Sequence, residues 1–282
     1  MTRLLVTGAG GQLGHDVVAH ATAEGDEVFA ITRADLDVGD RTAVHAAVGA
    51  ARPDVVVNTA AWTAVDACES DPARAQRDNA DAVRWLREAC DDVGAHLVHI
   101  STDYVFDGTL DRPYREDDAT NPLSVYGRSK LAGEHAAGPD ATIVRTSWVC
   151  GAYGANMVKT VLKFMHERPT LSFVADQRGC PTFTADLAPL LRRLGADGYR
   201  GIYHATNQGA VSWYEFVRDI VASAGGDPEM VLPITTADLQ PPRPAPRPAN
   251  SVLENAALAA AGVPLLRHYR EPLAELVARL PA

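Results

Sequence analysis

A parallel β-sheet wound with helices on both faces is the fold that the sequence predicts, and three observations predict it. Short runs that are apolar on both faces alternate with amphipathic stretches up to about residue 145, the pattern of strands covered by helix layers. A glycine-rich turn separates the first of these runs from the first helical stretch. The chain of 282 residues, 46% apolar and 22% charged, has core enough for one large domain or for a major and a minor lobe.

Arg3 to Thr7 reads as a strand, Gly11 to about Glu24 as a helix and Glu27 to Thr32 as a second strand, a βαβ opening. A helix near Thr42 to Ala51 and an all-apolar strand at Val55 to Val57 continue the alternation. One long helix from about Pro72 to Val93 precedes a strand at His96 to Ile100, and a helix near Val125 to Ala137 feeds a strand at Thr142 to Arg145. Beyond Trp148 the rhythm loosens. A helix near Ala155 to Glu167, a strand at Leu171 to Val174, a helix around Ala185 to Leu194 and a strand at Gly201 to His204 are still legible. Residues 1–147 then form the sheet domain, segments around 170–205 return to it, and 148–169 with 206–282 make a smaller C-terminal lobe. Pro241 to Pro248 reads as an extended surface connection. No internal repeat suggests a solenoid or propeller.

A net charge of −10 without a Lys/Arg cluster argues against nucleic acid as a partner, and a small molecule is expected instead. No stretch reaches the roughly 18 to 20 apolar residues of a membrane span, and no secretory h-region opens the sequence, so a cytoplasmic protein is expected. Cys68, Cys90, Cys150 and Cys180 form no CxxC pair and lack nearby His partners, which predicts buried reduced thiols with neither a metal nor disulfides. The acidity is biased, with 24 Asp against 12 Glu and 23 Arg against 3 Lys. A GC-rich genome and a salt-adapted cytoplasm both account for it, the second slightly better because dispersed carboxylates keep a surface hydrated in salt.

After the first strand, Gly8, Gly11 and Gly14 stand in G-x-x-G-x-x-G spacing, within the Rossmann group. The first two allow a tight strand-to-helix turn that approaches a pyrophosphate, the third lets helix and strand pack closely, and the helix N-terminus faces the anion. This makes residues 1–147 an NAD(P)-binding domain. The second strand ends Ile31-Thr32-Arg33, where a carboxylate would hold adenosine ribose hydroxyls. A cation there suits a 2′-phosphate and favours NADPH over NADH, although Asp35 and Asp37 lie close by. Tyr126 and Lys130, four residues apart, share one helix face, so an ammonium can act on a phenol whose unperturbed pKa is about 10. Lys130 and an oxidised nicotinamide would then lower that phenol toward the working range. Ser101-Thr102-Asp103 falls just past the fourth strand, where such sheets collect ligands, and the Thr102 hydroxyl can hold a substrate carbonyl.

With these motifs in view the chain resembles the extended short-chain dehydrogenase/reductases, and more closely the dTDP-4-dehydrorhamnose reductase family. The residues that carry the likeness are GAGGQLG (8–14), LDVGD (36–40), VVNTAAWTAVDACE (56–69), STDYVFDG (101–108), YGRSK (126–130) and RTSWV (145–149). DQRGCPT (176–182), GIYHATNQGAVSWYEF (201–216) and RPANSVL (247–253) extend it nearly end to end. The resemblance implies reduction of the C4 ketone of dTDP-4-dehydro-β-L-rhamnose by NAD(P)H. It implies Tyr126 as proton donor, Lys130 as its electrostatic partner and a ribose ligand, and Thr102 with Asp103 against the sugar. Gly11, Gln12 and Leu13 would meet the pyrophosphate, Asp37 and Val38 the adenine side, and Ala61, Trp62 and Thr63 the nicotinamide half. Trp148 is either the sugar-side aromatic or core packing, and Asp103 either a sugar ligand or a loop cap.

In the related 4,6-dehydratases the Thr-Asp pair is followed by Glu; here Tyr104 follows, which leaves elimination without a base and favours reduction. Some family members carry a metal at a dimer contact. No ligand set matches here, so no metal is expected and a homodimer is left open. Other 4-keto sugar nucleotides, or a non-catalytic nucleotide-binding role, are the alternatives. Arg178, Arg243 and Arg247 are candidate forks for the substrate pyrophosphate, or surface solubility residues. Salt adaptation predicts that the melting temperature rises strongly between dilute and molar KCl; a flat response in a thermal melt would leave genome composition as the cause of the Asp/Arg bias.

Overall fold

A computed structural model of the chain describes residues 1–280. The first half builds β1 (Arg3–Thr7), α1 (Gln12–Ala23), β2 (Glu27–Ile31), α2 (Arg41–Ala51) and β3 (Val55–Asn58). Asp40 caps α2 by accepting from Ala43 N at 3.1 Å, and all four residues of β3 are buried, as a strand covered on both faces must be. The stretch expected as one long helix is divided into α3 (Val65–Ser70), α4 (Pro72–Gln76), a π-helical turn (Arg77–Asp81) and α5 (Ala82–Val93). The turn has a function in packing. Its extra residue aims Asn79 inward, where the amide accepts from Trp62 N at 2.8 Å and donates to Trp62 O at 3.1 Å and to Ser129 Oγ at 3.0 Å.

Next come β4 (His96–Thr102), a 3₁₀ turn (Asp103–Val105), α6 (Val125–Ala137) and β5 (Thr142–Thr146). Thus β4 runs two residues beyond the expected Ile100, and Thr102 is its last residue. The rest comprises β6 (Val149–Cys150), α7 (Met157–Glu167), β7 (Leu171–Val174), β8 (Arg178–Gly179), β9 (Thr182–Phe183) and α8 (Thr184–Ala196). Then follow β10 (Gly201–His204), β11 (Val211–Ser212), α9 (Trp213–Ser223), β12 (Val231–Ile234), α10 (Ala256–Ala260) and α11 (Arg270–Arg279). Ser212 and Glu215 close a capping box on α9, a helix the periodicity did not reveal.

Six strands make one wholly parallel sheet in the order β10-β5-β4-β3-β1-β2. On one face, Leu13, Val17, Leu187, Leu191 and Leu194 of α1 and α8 cover it; on the other, Val44, Val48, Leu86 and Ala137 of α2, α5 and α6 do so. A separate core of Val161, Leu171, Phe216, Ile220, Tyr269 and Leu273 organises the second lobe around α7, α9 and α11. The four cysteines are buried and free. Among the described residues, no helix is long and apolar enough to cross a membrane.

One buried ion pair sets α6 on the sheet. Glu134 of α6 accepts from Arg145 of β5 at 2.7 and 2.9 Å, the two side chains being 2% and 3% exposed, and Ser101 of β4 donates to the same carboxylate. Arg145 also lies 5.1 Å from the Phe106 ring centroid. Arg145→Ala would leave the carboxylate buried without a counter-charge, so a loss of about 3–5 kcal/mol is expected in urea unfolding. A loss within 1 kcal/mol would show that water or rearrangement satisfies Glu134.

Candidate active site at the carboxyl edge of the sheet

The chain leaves β1 toward β2 on one side and later places β3 on the other, which opens a crevice beyond the ends of β1 and β3. A cleft of about 410 Å³ lies there. Thr7 and Gly8 from β1 and its turn, Thr32 and Arg33 after β2, and Thr59 to Trp62 after β3 form its walls. Gly8 has φ +70°, and a Cβ on it would stand 2.7 Å from Ala60 N, so only glycine lets the two loops approach. On Gly14 a Cβ would strike the Gly8 carbonyl, which is why α1 can start so close to β1. No side chain caps the N-terminus of α1, which follows directly on Gly10 and Gly11 of the cleft wall. These features fit a dinucleotide pyrophosphate.

Individual residues depart from their expected roles. The Gly11 N–H donates to Gly8 O at 2.9 Å and is spent inside the turn. Gln12 sends its side chain to the other lobe, donating to Ala155 O at 3.0 Å and accepting from Asn156 Nδ2 at 2.9 Å, and the Leu13 side chain is in the core. Gly11 lines the cleft, whereas Gln12 and Leu13 do not. Thr63 is exposed and lies outside the cleft, whereas Ala61 and Trp62 line it. Val38 lines it too, and so does Asp37, but Asp37 is already paired with Arg77 at 3.1 Å and accepts from Gly39 N at 2.9 Å. Asp35 turns back to accept from the Thr32 amide and hydroxyl, bonds that hold its carboxyl below the usual range. Arg33 has no carboxylate partner among the described residues, which suits a 2′-phosphate. The sequence reading missed Arg74 and Arg77; they reach the cleft from α4 and the π turn, and Arg74 lies 4.3 Å from the Trp62 ring centroid.

Trp62 joins this cleft to the second part of the site. It packs in a cluster with Tyr126, Tyr104, Cys68 and Ala75, and the Tyr104 and Tyr126 rings meet edge to face at 5.6 Å. Ser124 caps α6 through Gly127 N at 3.1 Å, so Tyr126 occupies its first turn, with Lys130 one turn further. Both are buried. The expected link between them is absent: Lys130 Nζ donates to Ile100 O at 2.6 Å, and no hydrogen bond joins it to Tyr126. Correspondingly the phenol is raised overall rather than lowered. Burial pushes it up, against the pull of the Thr102 hydroxyl beside it, and burial brings Lys130 down to about 8 while Glu134 opposes.

Thr102 donates to Asp103 Oδ1 at 2.9 Å and accepts from Tyr104 N at 3.2 Å. Asp103 is wholly buried, and desolvation raises it to about 6 against the Ser251 and Thr102 hydroxyls; its Oδ2 has no hydrogen-bond partner. Strand register sets Thr102 beside Thr146, two residues before Trp148. Trp148 takes φ +47° and stacks on Trp213 at 3.6 Å with Gly179 against its other face, and both tryptophans pack on the core of the second lobe, which is the core-packing alternative for Trp148. Of the three arginines, Arg247 is bidentate to Asp66 at 2.8 and 2.9 Å, Arg178 reaches Glu215 at 3.4 Å, and Arg243 has no carboxylate partner among the described residues. The Pro-rich segment is no loose connection. Asp66 holds it through Ala245 N and Arg247, and Ala245 and Pro248 are buried beside the Tyr104 side of the site.

The chain was compared with known proteins. A family model described as the RmlD substrate binding domain matches residues 1–281. A dTDP-4-dehydrorhamnose reductase of Streptomyces griseus is 46% identical, over 97% of this chain and 92% of its own. A probable dTDP-4,6-dihydroxy-2-methyloxan-3-one 4-ketoreductase of Streptomyces antibioticus is 43% identical, over 97% and 94%. The crystal structure of dTDP-4-dehydrorhamnose reductase from Bacillus anthracis in complex with NADP superposes with a TM-score of 0.94 at 35% identity, covering 99% of each chain. The nucleotide crevice, the buried phenol and amine on one helix face, and this likeness along the whole length place the chain in the RmlD family, that of the dTDP-4-dehydrorhamnose reductases.

Proposed function

We propose that the protein reduces the C4 ketone of dTDP-4-dehydro-β-L-rhamnose to the alcohol of dTDP-β-L-rhamnose, with NADPH as reductant. The observation that carries this reading is Trp62, which lines the nucleotide cleft on one side and packs with Tyr126 on the other, so that acid and cofactor share a wall. When bound, the dinucleotide supplies the hydride that goes to the ketone carbon. Tyr126 gives the phenolic proton to the carbonyl oxygen, and the Thr102 hydroxyl beside it, turned from Asp103 to donate to that oxygen, orients it. The burial that keeps the phenol protonated also makes it a reluctant donor. Lys130, lifted from its Ile100 contact toward Tyr126 and the ribose, offsets this by stabilising the phenolate that the transfer leaves behind.

The Asp103 carboxylate, with one buried oxygen unpaired, lies beside Thr102 at the proposed sugar site, whereas Trp148 is packed between Trp213 and Gly179 and has no open ring face for the sugar. Arg33, without a carboxylate partner among the described residues, supports NADPH over NADH, and the NADP-bound Bacillus anthracis relative supports the same cofactor. Arg243, and Arg247 in exchange for Asp66, are available for the dTDP pyrophosphate. A second reading, reduction of another dTDP-linked 4-keto sugar, is favoured by the Streptomyces antibioticus relative, whose identity to this chain nearly equals that of the rhamnose enzyme.

Incubation with dTDP-4-keto-6-deoxyglucose, a 3,5-epimerase and each nicotinamide cofactor, followed by identification of the sugar, separates the two readings; dTDP-rhamnose is expected, and its absence with another reduced sugar present selects the second. Tyr126→Phe is expected to lower kcat by ~10²–10⁴ with little change in cofactor affinity, and wild-type turnover in that variant would reject the acid assignment. Arg33→Ala should raise KM for NADPH by ~10- to 100-fold and leave KM for NADH nearly unchanged. Equal losses with both cofactors would remove the 2′-phosphate contact.

A further inference from the structure

A run of buried hydrogen bonds joins the wall of the nucleotide cleft to Lys130. The Thr7 hydroxyl donates to Asn58 Oδ1 at 2.7 Å, and the Ala60 N–H donates to the same oxygen at 3.2 Å. Because a backbone N–H can only donate, the Ala60 contact decides which end of the Asn58 amide is oxygen. The amide nitrogen therefore faces His99 Nδ1, at 3.1 Å, and requires a lone pair there. His99 is fully buried on β4, and loss of water, then the Lys130 charge, hold it well below its ordinary value. A neutral ring that accepts at Nδ1 carries its proton on Nε2, and that atom lies 3.4 Å from Lys130 Nζ.

Lys130 has three N–H groups. One is spent on Ile100 O, and on the His99 side it meets another donor. We propose that His99 is a positioning residue: its tautomer, set by Asn58, denies Lys130 a second buried acceptor and leaves the remaining N–H groups of the amine to the Tyr126 phenol and the cofactor ribose. This rests on the role given to Lys130 under Proposed function. The charged group that acts on the amine, Glu134 on its own helix, is already paired with Arg145 of β5; Asp78 of the π turn is paired with Arg74 and Arg77, and Asp103 of the 3₁₀ turn, half unpaired, acts on Tyr126.

Three lysines and nine histidines are few enough for NMR on selectively labelled protein. With ¹⁵N-histidine, His99 is expected as a neutral ring protonated on Nε2 from about pH 6 to 9; an Nδ1–H ring overturns the proposal. In Asn58→Asp the new carboxylate accepts from Nδ1–H, the tautomer reverses, and Lys130 gains a lone pair to donate to. In ¹³C-lysine-labelled protein its titration midpoint should then rise by about one unit or more, a tenfold gain in proton affinity. The double variant Asn58→Asp/His99→Phe keeps the charge without the ring and should rise less, and the difference is the ring's share. Equal rises in the single and double variants overturn the proposal. With Lys130 parked on His99, Asn58→Asp should also raise KM for NADPH and move the alkaline limb of kcat upward, both more than the double variant does. If the lysine resonance moves as expected while KM and the limb do not, the His99 coupling is real and it is the role of Lys130 in the reaction that fails.

Discussion

The seating of α6 against β4 and β5 is the constraint on which the rest of the site depends. Helix and strands are tied by a carboxylate and a guanidinium taken out of water together, and such a pair tolerates little displacement because each partner alone would be a bare buried charge. Its cost and its gain nearly cancel in stability, but its directionality does not cancel. It fixes the rotation of α6, and with it the direction in which Tyr126 and Lys130 project from the same helix.

Around that anchor the fold separates two tasks. The sheet edge, with Gly8 and Gly14 allowing backbones to touch, forms a rigid recess for a dinucleotide. The second lobe brings other parts: Trp148 in a strained backbone conformation against Trp213, arginines paired with carboxylates, and the segment held by Asp66. Gln12 links the two, since it leaves the phosphate turn to bond the loop at Ala155 and Asn156. The nucleotide cleft is thus walled by short turns held directly on the strand ends, and the proposed sugar side by longer segments of the second lobe. Relatives of nearly equal identity that act on different sugars are consistent with that division.

Protonation in the site follows from burial more than from pairing. Desolvation raises Tyr126 and Asp103 toward their neutral forms and lowers Lys130, so the protein by itself holds the phenol protonated and the amine close to release. The expected activation of the phenol by Lys130 requires the amine to leave the Ile100 carbonyl. The His99 ring bears on that movement because it offers the amine no alternative acceptor.

Much was legible in the linear order of residues, and the reason is periodicity and local stereochemistry. Runs apolar on both faces can only be covered strands, glycines at 8, 11 and 14 serve a turn within seven residues, and a four-residue spacing puts Tyr126 and Lys130 on one face. These are properties of neighbours in the chain. What tertiary structure alone decided involves partners far apart in it. The π turn exists because Asn79 must satisfy the buried backbone of Trp62, Asp37 is occupied by Arg77, and the Pro-rich stretch is ordered because Arg247 finds Asp66. Likewise the Glu134 pair and the Asn58–His99–Lys130 chain arise where strands and a helix distant in sequence bury polar groups together. Water would satisfy each of those groups in an unfolded chain, so only the removal of water by packing creates the demand that they meet.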